Sequence, residues 1–401
     1  MLKLGRWLVY GLSLSCLMLL ATPAAMSQQE ELPVEVVYLS RAETPLVPLS
    51  LLDLPIEDNG RQGARLGISD NQTTGSFLGH TYSLNEVILE SEADIALEVQ
   101  KLVDDGQSII IADLIGSDLL TTADVAKDAL IFNVRAKGDN LRSSECRANV
   151  MHLLPSRAMV TDGLAQYMAW KRWTKLVLVT GRHEVDEAYA ESFKRAAKRF
   201  GLSIVESKQW TAVPGARRTD SGHHTSQREV PVFTRFKNHD VLVVADEMDE
   251  FGEYLLFNTA EPRPVAGTQG LVSTPWHRSQ EQWGATQIQR RFEKLAGRPM
   301  SERDYSAWAA VRSLGEAVSQ TNSNEARELQ EFMFSDEFNL AGFKGVPLTF
   351  RRWNGQLRQP LLVVGPRMLV SVSPQEGFLH ERSVLDTLGY DEPDSDCTQF
   401  Q

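Results

Sequence analysis

The stretch IALEVQKLVDDGQSIIIAD, residues 95–113, decides the fold class. Ile95, Val99 and Leu102 fall on one side of a helix spanning 95–104, and Gly106 stops it. Ile109-Ile110-Ile111-Ala112-Asp113 then runs without a polar alternation, β-branched and continuous. That is the pattern of a strand covered on both faces, as in a parallel sheet.

The same grammar extends in both directions. Upstream, 34–39 reads as a strand, 59–71 carries Gly, Ala, Leu and Ile at helical spacing, and 83–90 is a strand with mixed faces. Downstream come a short helix at 121–128 and a strand at 130–134. The second half repeats the alternation. It has helices at 157–173 (inner face Ala158, Leu164, Tyr167, Trp170), 187–200, 286–296 and 304–319, and strands at 175–179, 202–206 and 240–246. Trp170 and Trp173 are expected in the core. Alternation of this kind predicts α/β lobes with mainly parallel sheets. Residues 214–227 are polar and read as a surface loop; 391–401 is acidic and lacks core residues.

The chain opens with Lys3 and Arg6, an apolar run over 7–20, then small residues through Ser27 and a polar run. This order predicts a secretory signal peptide over 1–27. About 374 of the 401 residues then remain, enough for two lobes. Net charge moves from −12 to −14 when Lys3 and Arg6 leave, which disfavours nucleic acid and anionic lipid as partners. Of three cysteines, Cys146 and Cys397 remain after cleavage. In an oxidising compartment a disulfide between them is expected, pinning the tail to the first lobe, with two free thiols as the alternative.

Residues 59–68 (NGRQGARLGI), 103–111 (VDDGQSIII) and 305–314 (YSAWAAVRSL) resemble type I periplasmic binding proteins of the branched-chain amino acid kind. Residues 146–149 (CRAN), 165–173 (AQYMAWKRW), 216–222 (ARRTDSG) and 385–389 (LDTLG) are similar to a subfamily of ABC-transporter binding proteins. That subfamily is associated with pyrroloquinoline quinone (PQQ)-dependent alcohol dehydrogenase systems. The resemblance implies two Rossmann-like lobes joined by a three-crossing hinge. It sets lobe 1 at 33–153 and 273–341, lobe 2 at 154–272 and 342–375, and a tail at 376–401. It implies a monomeric periplasmic protein that binds a solute between the lobes and delivers it to an inner-membrane ABC permease. A sensory or accessory protein docking on a dehydrogenase or receptor is the alternative.

Loops at the carboxyl ends of strands are where an open α/β sheet binds ligands. The candidates there are Asp113, Gly116, Ser117 and Asp118, with Ser117 or Asp118 alternatively capping the next helix. Next come Asn133 and Arg135, Arg135 facing an acidic ligand or an ion pair, and then Gly181 and Arg182. Asp246, Glu247, Asp249 and Glu250 crowd the end of a buried strand and are candidates to hold a calcium or lanthanide ion as cargo. No EF-hand spacing accompanies them. Trp276 is placed to stack on a planar ring or to pack the hinge. His223-His224 face opposite ways if extended, which argues against a shared metal ion. No phosphate-binding loop, dinucleotide fingerprint or G-x-S-x-G occurs, and His183-Glu184 lacks the second histidine of H-E-x-x-H. The chain is therefore expected not to be an enzyme. The three cargo classes left open are an alcohol-derived small molecule or acid, a PQQ-like anion, and a calcium or lanthanide ion.

Overall fold

The computed structural model describes residues 31–43, 55–211 and 228–400. The signal-peptide reading, the loop 214–227 and His223-His224 lie outside the described residues. Five parallel strands form the first sheet: β1 (Leu32–Arg41), β2 (His80–Leu89), β3 (Ile109–Asp113), β4 (Leu130–Asn133) and β5 (Val150–His152), in the order β2-β1-β3-β4-β5. Between them lie α1 (Arg61–Leu78), α2 (Ile95–Asp104) and α3 (Gly116–Val125). Asp94 caps α2 by accepting from the amides of Ala96 and Leu97 at 3.0 and 3.3 Å.

The second sheet is built from β6 (Lys175–Thr180), β7 (Ser203–Gln209), β8 (Val241–Ala245) and β9 (Val265–Gly267). All are parallel, in the order β7-β6-β8-β9. Helices α4 (Arg157–Trp170) and α5 (Glu184–Arg199) cover one face through Leu164, Met168, Tyr189 and Phe193. Trp210, Phe251 and Leu255 cover the other. After β10 (Val272–Thr274) the chain returns to the first sheet with α6 (Ala285–Ala296), α7 (Glu302–Thr321) and α8 (Ala326–Met333). A small antiparallel sheet, β11 (Leu340–Ala341), β12 (Pro347–Phe350) and β13 (Leu357–Arg358), follows. The hairpin of β14 (Leu361–Gly365) and β15 (Met368–Ser373) pairs with β10.

The polypeptide passes between the two cores three times. Leu153 packs in the first and Met159 in the second; Leu271 packs on the second and Trp276 in the first; Leu357 is in the first and Leu361 in the second. Residues 342–357, expected in the second lobe, thus place Leu348, Phe350 and Leu357 on the first core. Glutamines fasten the first and third crossings side by side. Gln356 donates to the carbonyls of His152 and Leu154, and Gln359 donates to that of Leu153 at 2.7 Å.

Several expectations need correcting. α1 runs to Leu78 rather than stopping near 71, because its polar second half packs by small and amide groups: Asn71 and Gly75 are buried, and Asn71 donates to the Val311 carbonyl at 2.7 Å. On α1 and α7, Gly63, Gly67 and Gly315 face backbone or branched carbons so closely that a Cβ would collide with Asp304, Val311 and Asn71. α3 begins at Gly116, five residues earlier than expected. Trp170, expected inside, is 52% exposed, with the Lys171 ammonium over its ring. The tail also contributes to packing. Leu388 is in the second core, Cys397 is bonded to Cys146 with a Cα–Cα distance of 5.7 Å, and Phe400 packs edge-on against Phe334.

Candidate functional site

In both large sheets the strand order reverses beside the first strand, between β1 and β3 and between β6 and β8. Ligand crevices of open α/β sheets form at the carboxyl ends of such strands. Asp113 ends β3 at the first switch point and is 4% exposed. Its Oδ2 accepts from the Tyr38 hydroxyl at 2.7 Å, and Arg303 Nη1 stands 3.5 Å from Oδ1, which has no hydrogen-bond partner. Burial pushes its carboxyl above the usual range, against the pull of Arg303 and Tyr38. Arg135, after β4, pairs with half-exposed Glu43. Burial first, then the nearby Arg303 charge, lower its guanidinium to about 10. Two guanidiniums, Arg135 and Arg303, therefore share this end of lobe 1 with two deeply buried carboxylates, Asp113 and Asp304, of which Asp304 pairs with Arg298.

The neighbouring candidates have other work. Asp118 is met at 2.8 Å by Nε of Arg41, the last residue of β1. Gly116 and Ser117 are the first residues of α3, and no side chain caps that helix, neither Ser117 nor Asp118. Asn133 is fully buried and clamps its own loop: its Nδ2 donates to the Ala136 carbonyl and its Oδ1 accepts from the amides of Arg135 and Ala136. It is a loop-shaping residue and not a cleft contact.

At the second switch point Gly181 follows β6 where a Cβ would strike the Asp186 carboxylate. Asp186 closes a capping box at the start of α5 and accepts from the Glu247 amide at 2.7 Å. The four acidic residues expected to hold a cation are drawn apart. Asp246 accepts from the amides of Glu250, Phe251 and Gly252 at 3.0, 2.8 and 2.7 Å. Glu247 takes a forked contact from Arg157. Asp249 accepts from Gln269 Nε2 at 3.3 Å. Glu250 pairs with Arg182 at 3.0 Å and with His183 at 3.1 Å, and these partners outweigh burial to hold its carboxyl below the usual range. Arg182 therefore stays within its own lobe. Among the described residues, no group of three or more His, Cys, Asp or Glu is placed to hold a metal ion.

Three charged side chains that sequence reasoning missed, Lys137, Arg157 and Glu302, stand where the two lobes meet. Lys137 Nζ meets Glu302 Oε1 at 2.6 Å, and Arg157 meets Glu247 across from it. Burial opposes the charge on Lys137, but Glu302 and Glu247 overcome it and raise its pKa. Arg157 N donates to the Lys137 carbonyl at 3.0 Å, so the lobe 1 loop abuts the start of α4. Tyr189 is buried nearby, with no partner for its hydroxyl. The Ser301–Asp304 capping box was the one local signal for Glu302 and Arg303, since it fixes the first turn of α7. A cavity of about 820 Å³ opens beside this network, lined from the first lobe by Asp58, Arg298 and Met300 and from the second by Gln269 and Val364. Trp276 lines it too, stacked on Tyr305 at 4.5 Å and 2% exposed, so it packs the hinge and forms part of the cavity wall.

Residues 53–216 match the family described as periplasmic binding protein. No curated protein matches the chain. Among solved structures, a branched-chain amino acid ABC transporter periplasmic ligand-binding protein from Burkholderia xenovorans LB400 has TM-score 0.70 at 14% identity, covering 92% of this chain and 100% of its own. A leucine-, isoleucine-, valine-, threonine- and alanine-binding protein from Brucella ovis, in its closed conformation, has TM-score 0.64 at 13% identity, covering 90% and 96%. A solute-binding protein from R. palustris in complex with benzoate has TM-score 0.62 at 12% identity, covering 91% and 99%. The chain thus has the fold of the type I periplasmic binding proteins, and its residues 53–216 carry the match to that family.

Proposed function

We propose that the chain is the periplasmic substrate-binding component of an ABC transporter and that its cargo is a small organic acid held between the lobes. The observation that carries this reading is the pair of guanidiniums, Arg135 and Arg303, at the first switch point, where the buried Asp113 meets Arg303 and the second buried carboxylate, Asp304, is taken up by Arg298. A guanidinium pair suits a planar carboxylate. Glu43, which now meets Arg135, is about half exposed (51%), so a ligand carboxylate can exchange with it. The acidic run at 246–250 supports the same choice from the other side: its side chains already have protein partners, which removes the reason to propose a calcium or lanthanide cargo. Ligand contacts made to both lobes only when they approach would shift the population toward the closed form. The link to PQQ-dependent alcohol oxidation rests on the sequence resemblance; with it, the acid would be the oxidation product of an alcohol.

A thermal-shift panel tests the reading with acetate, benzoate, lactate, PQQ, leucine, calcium and lanthanum. A ligand at about 100 times its Kd adds about 2.7 kcal/mol and raises the midpoint by several degrees. The expected result is a shift with an organic acid that disappears in Arg135→Gln. A shift with leucine or a metal ion alone would overturn the assignment of cargo.

A further inference from the structure

We propose that the C-terminal segment 385–400 is a fourth connection between the lobes, closed by the disulfide, and that it limits how far the hinge opens. Its contacts alternate between the two cores. Asp386 accepts from Arg351 Nε at 2.9 Å and Arg358 Nε at 2.8 Å, both on the β12–β13 hairpin of the first core. Thr387 then meets Gln166 of α4 at 3.2 Å. Leu388 enters the second core. Gly389 donates to Asp162 Oδ2 at 2.8 Å and accepts from Arg199 Nη1 at 2.8 Å, and the Tyr390 ring lies 4.6 Å from the Arg195 guanidinium. The partners of Gly389 and of the Tyr390 ring belong to α4 and α5, while Arg351 also reaches the carbonyls of Leu388 and Tyr390 from the first-core hairpin.

The segment then returns to the first lobe. Ser395 donates to the Arg142 carbonyl at 3.2 Å, and the Asp396 amide donates to Ser143 at 3.1 Å. Cys397 is bonded to Cys146, and Phe400 rests against Phe334 and Gly355. Cys146 itself is held on α3, since Arg147 pairs with Asp124 and Asn149 donates to the carbonyls of Ala123 and Ala126. A chain fixed to lobe 2 at Tyr390 and covalently to lobe 1 at Cys397 cannot let those points part freely. From Tyr390 to Cys397 seven residue steps span at most on the order of 24 Å. The three hinge crossings are continuous polypeptide, and the disulfide gives the tail a covalent hold on lobe 1 as well, away from those crossings. A binding protein whose open state is narrowed loses less freedom on closing, which strengthens solute capture.

The test compares ligand-free protein before and after reduction, so it does not depend on the identity of the cargo. Small-angle scattering gives the radius of gyration and hydrogen exchange gives local opening. The folded protein reduced with a phosphine, and the double variant Cys146→Ser/Cys397→Ser, are expected to show a larger radius of gyration. Exchange should quicken at amides of the first crossing, 153–157, as well as in the tail. An unchanged radius of gyration, with faster exchange confined to 385–400, would overturn the proposal and leave the disulfide a local fastener. If the double variant fails to fold, reduction of the prefolded protein decides between the two results.

Discussion

Asp113 and Asp246 occupy matching places, each at or just after the end of the strand that flanks a switch point, and each is almost fully buried. Their surroundings are opposite. Three consecutive loop amides converge on Asp246, an arrangement that stabilises a carboxylate without any counter-ion. Asp113 has one phenol, a guanidinium at 3.5 Å and an oxygen with no hydrogen-bond partner. Burial alone does not mark a functional acid. Asp246 shapes a loop, whereas Asp113 keeps one oxygen without a hydrogen-bond partner, 3.5 Å from Arg303.

The sharpest way to break this contrast is Asp246→Ala. Three buried amides would lose their acceptor, and urea unfolding should show a loss of about 3 kcal/mol or more. A loss below about 1 kcal/mol would remove the structural role given to Asp246. Next in size, Arg135→Gln should weaken binding of the acid found in the thermal panel by at least about tenfold, or about 1.4 kcal/mol by calorimetry. Equal weakening in Arg182→Gln would place the anion on the second lobe instead.

A smaller effect concerns pH. Burial raises the folded-state pKa of Asp113 above the unfolded value of about 3.9. The native state therefore binds the proton more tightly, and stability from this group is present at low pH and falls as pH rises through the raised value. Asp113→Asn removes that fall. Its stability relative to the parent should be higher at pH 7 than at pH 4 in paired urea titrations, and an identical difference at both pH values would contradict the direction assigned to Asp113. Least of all, Arg182→Ala should leave the thermal midpoint unchanged, because its contact with Glu250 lies at the surface.

The parallel strands were legible because each is covered on both faces and so reads as an unbroken apolar run, as in Ile109-Ile110-Ile111 and Val241-Leu242-Val243-Val244. Helix α2 matched its expected bounds because cap, apolar stripe and glycine agree. The second half of α1 was hidden, since Asn71 and Gly75 pack without an apolar period. The site was less legible. In one dimension Asp246 to Glu250 form a carboxylate cluster; in three, backbone amides and the distant Arg157 and Arg182 take them up, and neither kind of partner has a sequence spacing. Lys137 and Glu302 meet over 165 positions, and Arg303 reaches Asp113 from the far end of the chain. The Cys146–Cys397 bond followed from counting cysteines, but nothing in the acidic tail foretold that Leu388 would enter a core.

The closeness of α1 and α7 has a consequence for how this chain tolerates change. At Gly63, Gly67 and Gly315 nothing larger than a hydrogen atom fits between the helices. The cleft loops can exchange side chains at the cost of one contact or another, whereas a methyl group at these three positions would pry α1 away from α7, the helix that carries Arg303 to Asp113. In a library of random variants the most intolerant positions should therefore cluster behind the cleft, and the cleft itself should be the freer place for new specificities to arise.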